Sequence, residues 1–103
     1  MIVVKVTYTV NDAYVSTNKE LIQKFLTDFR KLDNTQFLYT ILQTEDRETF
    51  IHISQYKSKD IQDILLNTPS FLHFQEERDQ HLVSQPKIEV LNFIGSSKDV
   101  FKS

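Results

Sequence analysis

Four side chains in this sequence could handle a proton or stabilise a developing negative charge: His52, Tyr39, Tyr56 and Asn92. A neutral imidazole in a pocket could abstract a phenolic proton near neutral pH. The tyrosines and the amide could donate hydrogen bonds to a ligand oxygen. A structural explanation also fits, in which the histidine is a buried residue satisfied by a neighbouring hydroxyl or carbonyl and the tyrosines belong to the core. Residue types alone leave both interpretations open.

Other chemistries are disfavoured by composition. The chain has no Cys, which removes thiolate nucleophiles and sulfur-ligated zinc. Gly95, the single glycine, cannot build a phosphate-binding loop, a dinucleotide-binding turn or the flanks of a nucleophilic serine. His73 and His81 would lie about 12 Å apart along a helix, too far to bind one ion. Arg78 could face an acidic ligand or lie on a solvated helix face. We therefore predict no metal and no cofactor.

Charge and hydropathy limit the partners. The chain carries 12 basic and 14 acidic residues, a net charge of −2, without a basic stripe interleaved with aromatics, so nucleic acid is not expected. No stretch approaches the roughly 20 apolar residues of a membrane span. Met1 leads directly into a strand-like segment without a signal-peptide pattern. We expect a cytoplasmic protein with one domain over residues 1–95 and a C-terminal tail over residues 96–103.

Four segments have the pattern of β-strands. Residues 2–10 alternate, so one face carries Ile2, Val4, Val6, Tyr8 and Val10. Residues 36–44 and 49–56 are rich in β-branched and aromatic types, and the four charged residues between them predict a hairpin turn. Residues 86–94 form the last predicted strand, with a proline at its first position.

Helical patterns lie between these strands. A capping box, Thr17-x-x-Glu20, opens a predicted helix over residues 17–32. Ser58 can cap a short second helix, and Thr68-Pro69 can open a third segment that continues it. The order is strand, helix, strand, strand, split helix, strand. This order predicts an α+β, ferredoxin-like β-α-β-β-α-β fold with a four-stranded antiparallel sheet.

The face of the sheet away from the helices is unusually apolar. Alternation places several large aliphatic and aromatic residues there, namely Leu38, Leu42, Ile51, Ile53, Leu91 and Phe93. Such a surface is too apolar to stay in contact with water. We therefore predict a homodimer in which two sheets pack face to face.

Residues 49–75, TFIHISQYKSKDIQDILLNTPSFLHFQ, resemble a block of the antibiotic-biosynthesis monooxygenase family. In that family a strand ending in an aromatic residue leads into a short capped helix, then a small residue or proline and a Phe-x-x-Phe pair. The first strand, first helix and last strand fit the same plan. The resemblance implies the dimeric α+β barrel superfamily, in which two subunits together form the barrel.

The resemblance also implies a pocket between the sheet and the helices. Phe25, Phe29, Phe50 and Phe71 would line it, with His52 or a tyrosine as base or oxyanion partner. The implied activity is cofactor-independent oxidation of a small aromatic or phenolic compound by dioxygen.

The chain departs from the family pattern in having no Trp. Thr7 and Gln75 stand where the haem-degrading members would place Asn and His, which argues against haem cleavage. The alternative function is a non-catalytic homodimer that binds a small apolar ligand or whose pocket is filled by aromatic side chains.

Overall fold

The protein is a four-stranded antiparallel sheet covered on one face by helices. A computed structural model describes residues 1–101. The elements in chain order are β1 (Ile2–Thr9), a 3₁₀ turn (Asp12–Tyr14), α1 (Val15–Phe29), β2 (Phe37–Gln43), β3 (Thr49–Tyr56), α2 (Lys59–Leu66), α3 (Pro69–Asp79) and β4 (Lys87–Leu91). The strand order is β2-β3-β1-β4, and all three pairings are antiparallel. The predicted ferredoxin-like α+β class is confirmed.

The helix-covered face of the sheet holds the hydrophobic core. Tyr8 and Val10 are buried on the predicted inward face of the first strand, and Val6 packs partly against the core. Phe25 from α1 and Phe74 from α3 are fully buried over the strands. Aromatic rings therefore fill most of the space between the helices and the sheet.

Helix α1 begins two residues earlier than its capping-box pattern predicted, and it ends three residues earlier, at Phe29. The amide of Tyr14 donates to the carbonyl of Asn11 at 2.9 Å, so a 3₁₀ turn has already established helical backbone before Thr17. Tyr14 occupies the N-cap position, and no side chain caps this terminus. The capping-box prediction at Thr17 and Glu20 was therefore wrong.

The caps of the next two helices agree in position but differ in bonding. Ser58 and Thr68 occupy the N-cap positions of α2 and α3, with Pro69 in the first turn, yet neither side chain makes a capping hydrogen bond. The Thr68 hydroxyl instead donates to the carbonyl of Ile64 at 3.3 Å. The packing of the helices, rather than side-chain capping, therefore fixes these two starts.

The last strand is shorter than its sequence pattern predicted. Only Lys87–Leu91 pairs with β1, so Asn92 and Phe93 lie beyond the strand and are exposed. On the helix side of this edge strand, Ile88 and Val90 are 69% and 78% exposed. The helices do not extend over this edge of the sheet. The apolar residues of β4 on the helix side therefore remain exposed.

The other face of the sheet, called here the open face, carries the predicted apolar residues. Leu38, Leu42 and Leu91 are exposed there, while Ile51 and Ile53 are half-buried. The register places Leu42 opposite Ile51, and Ile51 opposite Thr7, so these residues form one continuous row. The open face therefore carries a cluster of aliphatic residues on β2 and β3, and the charged residues Lys5, Lys87 and Glu89 lie on the same face of β1 and β4.

The segment after β4 folds back against the body of the protein. Val100 and Phe101 are half-buried, and the Lys57 ammonium lies 5.9 Å from the centroid of the Phe101 ring. A cation over an aromatic face is attracted by the ring quadrupole. Residues up to 101 of the predicted tail thus contact the end of β3, and residues 102–103 lie outside the described part of the chain.

Candidate functional site

A chain of hydrogen bonds runs through the core and has His52 at its centre. Residues Tyr8 and His52 lie on the helix side of the neighbouring strands β1 and β3, and Tyr39 lies on the same side of β2. The Tyr8 hydroxyl is 2.8 Å from His52 Nε2, and the Tyr39 hydroxyl is 2.8 Å from His52 Nδ1. Both ring nitrogens are therefore satisfied by tyrosine hydroxyls.

Asn18 extends this chain from helix α1. Its Nδ2 donates to the Tyr8 hydroxyl at 3.0 Å, and the residue has no exposed surface. Asn18 stands on the apolar stripe of α1, in line with Ile22 and Phe25. A polar residue on an apolar stripe was a sequence signal that the four initial candidates omitted. We call Asn18, Tyr8, His52 and Tyr39 the buried hydrogen-bond chain.

The imidazole of His52 is held in its neutral form. The residue is 3% exposed, and burial lowers the pKa of its imidazole to about 3, with a smaller contribution from the positive charge of Arg78. Burial likewise raises the pKa values of the Tyr8 and Tyr39 hydroxyls. All three groups are uncharged at neutral pH, so one imidazole nitrogen donates a hydrogen bond and the other accepts one.

The direction of donation along the chain depends on the Asn18 amide. With its Nδ2 donating, the Tyr8 hydroxyl can donate to His52 Nε2, and Nδ1–H then donates to Tyr39. This leaves the Tyr39 hydroxyl hydrogen free for another acceptor. A half-turn of the amide reverses the chain, so that Tyr39 donates to the imidazole and the otherwise unpartnered Asn18 Oδ1 accepts from Tyr8. The buried hydrogen-bond chain thus has two possible directions. In one, the Tyr39 hydroxyl can donate to a ligand; in the other, it donates to His52.

Arg78 lies against the buried hydrogen-bond chain rather than on a solvated helix face. Its guanidinium is 4.9 Å from the Tyr8 ring centroid and 5.3 Å from that of Phe74, and its Nη2 is 2.9 Å from Asp79 Oδ1. The side chain is mostly buried, whereas Asp79 is largely exposed. Arg78 therefore supplies a positive charge next to the aromatic core.

The four phenylalanines that were expected to line a pocket pack against one another and against the buried hydrogen-bond chain, and two of them, Phe29 and Phe50, also line surface grooves. Phe25 and Phe71 have ring centroids 5.1 Å apart, and Phe29 lies 5.5 Å from Phe71. Phe50 stacks on Tyr8 at 5.6 Å. Surface grooves of about 260 to 500 Å³ in the described part of the chain are lined by residues other than His52. His52 therefore sits in packed core.

Two of the sequence candidates lie away from the buried hydrogen-bond chain. Tyr56 is fully buried but four residues along β3 from His52, about 13 Å in an extended strand. Burial raises the pKa of its hydroxyl. Asn92 is exposed beyond β4 and makes no side-chain hydrogen bond within residues 1–101. The structure therefore brings together only His52 and Tyr39 of the four.

One groove reaches this chain through Tyr39. A depression of about 500 Å³ between the end of α1 and the start of β2 is lined by Phe29, Arg30 and Tyr39, among others. Tyr39 lines the groove and also places its hydroxyl on the imidazole. Within residues 1–101 there is no cluster of three His, Asp or Glu side chains with metal-binding geometry, and no helix is long and apolar enough to cross a membrane.

Comparison with solved structures shows the same architecture. A crystal structure of an antibiotic biosynthesis monooxygenase superimposes with a TM-score of 0.79 at 13% identity, over 92% of this chain and 100% of that one. Rv0793 of Mycobacterium tuberculosis gives a TM-score of 0.79 at 16% identity, over 94% of this chain and 98% of that one. A candidate antibiotic biosynthesis monooxygenase of Nitrosomonas europaea gives 0.78 at 17%, over 92% and 100%.

No family model and no curated protein matches the sequence. The structural likeness therefore establishes the fold and not an activity. The chain has the ferredoxin-like fold of the antibiotic biosynthesis monooxygenases, as its sequence resemblance predicted.

Proposed function

We propose that this protein is a cytoplasmic, homodimeric, cofactor-independent monooxygenase-like enzyme that acts on a small aromatic or phenolic compound. The observation that carries this proposal is the neutral imidazole of His52, held between two tyrosine hydroxyls, one of which belongs to a groove-lining residue. Oxidation of a phenol by dioxygen requires the substrate anion to be formed and stabilised. A polarised hydroxyl in an apolar, aromatic environment suits the second requirement.

His52 is better suited to polarise Tyr39 than to store a proton. A pKa of about 3 means that the imidazolium would be strongly disfavoured at neutral pH. In the direction in which Asn18 donates, Nδ1–H donates to the Tyr39 oxygen and the Tyr39 hydrogen is available to a ligand. Tyr39 would then donate to the oxyanion of the bound substrate. His52, Tyr8 and Asn18 act as positioning residues in this scheme.

Access to the Tyr39 hydroxyl depends on movement of the aromatic wall. Tyr39 packs against Phe29 at 5.1 Å and Phe71 at 6.0 Å between ring centroids. Phe29 also borders the groove, so rotation of its ring would connect the groove to the hydroxyl. Side-chain rotations of this kind open pockets without rearranging the backbone.

A second candidate function is non-catalytic binding of a small apolar ligand. The close packing of Phe25, Phe71 and Phe74 favours this function, because these three side chains fill space around His52. In that case the buried hydrogen-bond chain serves only to satisfy polar groups in the core.

Oxygen consumption with a panel of hydroxyanthrones tests the proposal. Tyr39→Phe retains the ring and removes the hydroxyl, and we expect turnover to fall on the order of a hundredfold. His52→Ala should lower turnover comparably. Tyr14→Phe is the matched control, because it removes a buried hydroxyl that has no hydrogen-bond partner within residues 1–101. If wild-type protein consumes no oxygen with any member of the panel, the binding function replaces the enzymatic one.

The open face supports the proposed homodimer. Aliphatic residues of β2 and β3 lie side by side there and are left partly in water by a single copy, and a second sheet of the same kind would bury them. The groove lies mainly on the helix side of β2, so face-to-face packing of two sheets would leave most of it accessible.

A further inference from the structure

The groove between α1 and β2 has an apolar interior and a polar rim. Leu26, Phe29 and Phe37 supply the apolar wall, and both phenylalanines are buried. Arg30 and Asn34 supply the polar groups, and Tyr39 also lines the groove. A volume of about 500 Å³ lies within the range of small-molecule sites. An amphipathic ligand with one flat apolar portion fits such a groove.

The charge at the rim is positive. Arg30 is exposed at the C-terminal end of α1 and forms no ion pair within residues 1–101. Nearby carboxylates are already engaged, since Asp28 is 3.6 Å from Lys31 and Asp33 accepts hydrogen bonds from Thr35. The guanidinium is therefore free to bind an anion supplied from solution, and its planar fork matches a carboxylate.

Three separate parts of the chain build the groove. Besides α1 and the start of β2, Val100 of the C-terminal segment lines it, and the neighbouring Phe101 lies under Lys57. Leu38, at the outer rim, also belongs to the open face. The C-terminal segment therefore adds Val100 to the apolar wall of the groove.

We propose that this groove binds a small aromatic carboxylate of one or two fused rings, with its ring system against Phe29 and Phe37 and its carboxylate on the Arg30 guanidinium. The inference builds on the proposed function, because the same groove would admit the substrate. Binding itself requires neither turnover nor His52. An aromatic carboxylate has the flat apolar body and the single negative charge that the walls and the rim call for.

Titration with 2-naphthoate, followed by amide chemical shifts, tests the proposal. We expect the shifts to map to α1 and β2 around Phe29 and Phe37. The neutral isostere 2-naphthamide should bind roughly tenfold more weakly, because it cannot form the charge-assisted pair. Arg30→Gln should weaken 2-naphthoate binding by a similar factor and leave 2-naphthamide binding unchanged. Lys24→Gln is the matched control, since it removes the same charge from an exposed position of α1 that does not line the groove and forms no ion pair within residues 1–101.

Several outcomes overturn the inference. It is wrong if 2-naphthoate causes no shifts, if the shifts map elsewhere, or if Arg30→Gln and Lys24→Gln weaken binding equally. Failure of the proposed function is a separate result. Protein that binds 2-naphthoate through Arg30 but never consumes oxygen supports the ligand class and contradicts the enzyme.

Discussion

The two faces of the sheet differ in which side chains they bury and which they expose to water. On the helix side, the polar groups of His52, Tyr8 and Tyr39 lie deep in the core and form hydrogen bonds with one another. On the open face, apolar groups such as Leu42, which is 48% exposed, lie in contact with water. A single chain therefore buries much of the helix side and leaves aliphatic side chains of the open face exposed to water.

The residues that stabilise the fold therefore lie mainly on the helix side, and the surfaces proposed for binding lie on the open face and at the groove. The helix side has the dense aromatic contacts that stabilise a small domain. The open face and the groove near Tyr39 contribute less to the core, and they are the surfaces on which the proposed second copy and the proposed ligand would bind. Changes on the two sides should therefore affect different measurements.

The largest effect is expected from Phe25→Ala on the helix side. Phe25 is fully buried and its ring lies within about 6 Å of those of Phe29, Tyr39, His52, Phe71 and Phe74. The lost burial and the cavity should lower the free energy of unfolding by about 4 kcal/mol. Urea denaturation measures this change. Leu72→Ala, at an exposed position of α3, is the control. A loss below about 1.5 kcal/mol for Phe25→Ala would mean that the core is less tightly packed than the ring contacts indicate.

The next effect is a pH dependence caused by His52. The folded state keeps the imidazole neutral down to about pH 3, whereas the unfolded chain binds a proton near pH 6.5. The unfolded state therefore binds more protons in this window, and stability falls as the pH falls. At about pH 4 this term should reduce the free energy of unfolding by about 3 kcal/mol.

Comparison with His52→Gln isolates this term. The variant should lose less stability than the wild type between pH 6.5 and pH 4, measured by urea unfolding at each pH. Parallel curves for the two proteins would show that His52 titrates normally and that its surroundings are open to water.

Leu42→Lys tests the open face. Two lysines would enter the interface of the proposed homodimer, and we expect the dissociation constant to rise roughly a hundredfold, or about 2.7 kcal/mol. Sedimentation velocity over a concentration series measures it. Ile64→Lys on α2 is the matched control, because Ile64 is similarly exposed but lies away from the sheet. A wild-type protein that stays monomeric at micromolar concentration would contradict the role assigned to the open face.

The smallest change in stability is expected from a substitution in a turn, away from both faces of the sheet. Arg47, in the turn between β2 and β3, has a φ of 71°, a left-handed conformation that costs little only for glycine. Arg47→Gly should raise the free energy of unfolding by roughly 0.5 to 1 kcal/mol without changing association. Thermal unfolding measures the gain, with Glu48→Gly as a control that should be destabilising because Glu48 does not have a positive φ. A destabilised Arg47→Gly would mean that the side chain of Arg47 contributes contacts that offset the strain.

Local pattern predicted the elements of the fold better than it predicted the site. Strand β3 has the bounds 49–56 that its alternation indicated, and β2 lies within its predicted range. The errors fell at the ends, where the 3₁₀ turn before Val15 and the uncovered edge of β4 changed the boundaries. Element ends depend on neighbouring packing, which a periodic pattern does not encode.

The candidate site was predicted in part. His52 and Tyr39 were named from their residue types, and the structure joins them. Tyr8 was recognised only as an inward-facing strand residue, and Asn18 was overlooked on the apolar stripe of α1. Residue type identifies groups that can form hydrogen bonds, but the partner of each group is chosen by strand register and helix placement.

By itself, the sequence determined the alternation of apolar residues that makes the strands, the helical stripe of α1, and the aliphatic character of the open face, because these properties depend on neighbours a few residues apart. Tertiary structure alone decided that Tyr8 meets His52 across 44 positions of the chain and that the C-terminal Val100 lines the groove with Arg30. Contacts between residues so far apart depend on the closure of the whole sheet and core, and no local pattern specifies them.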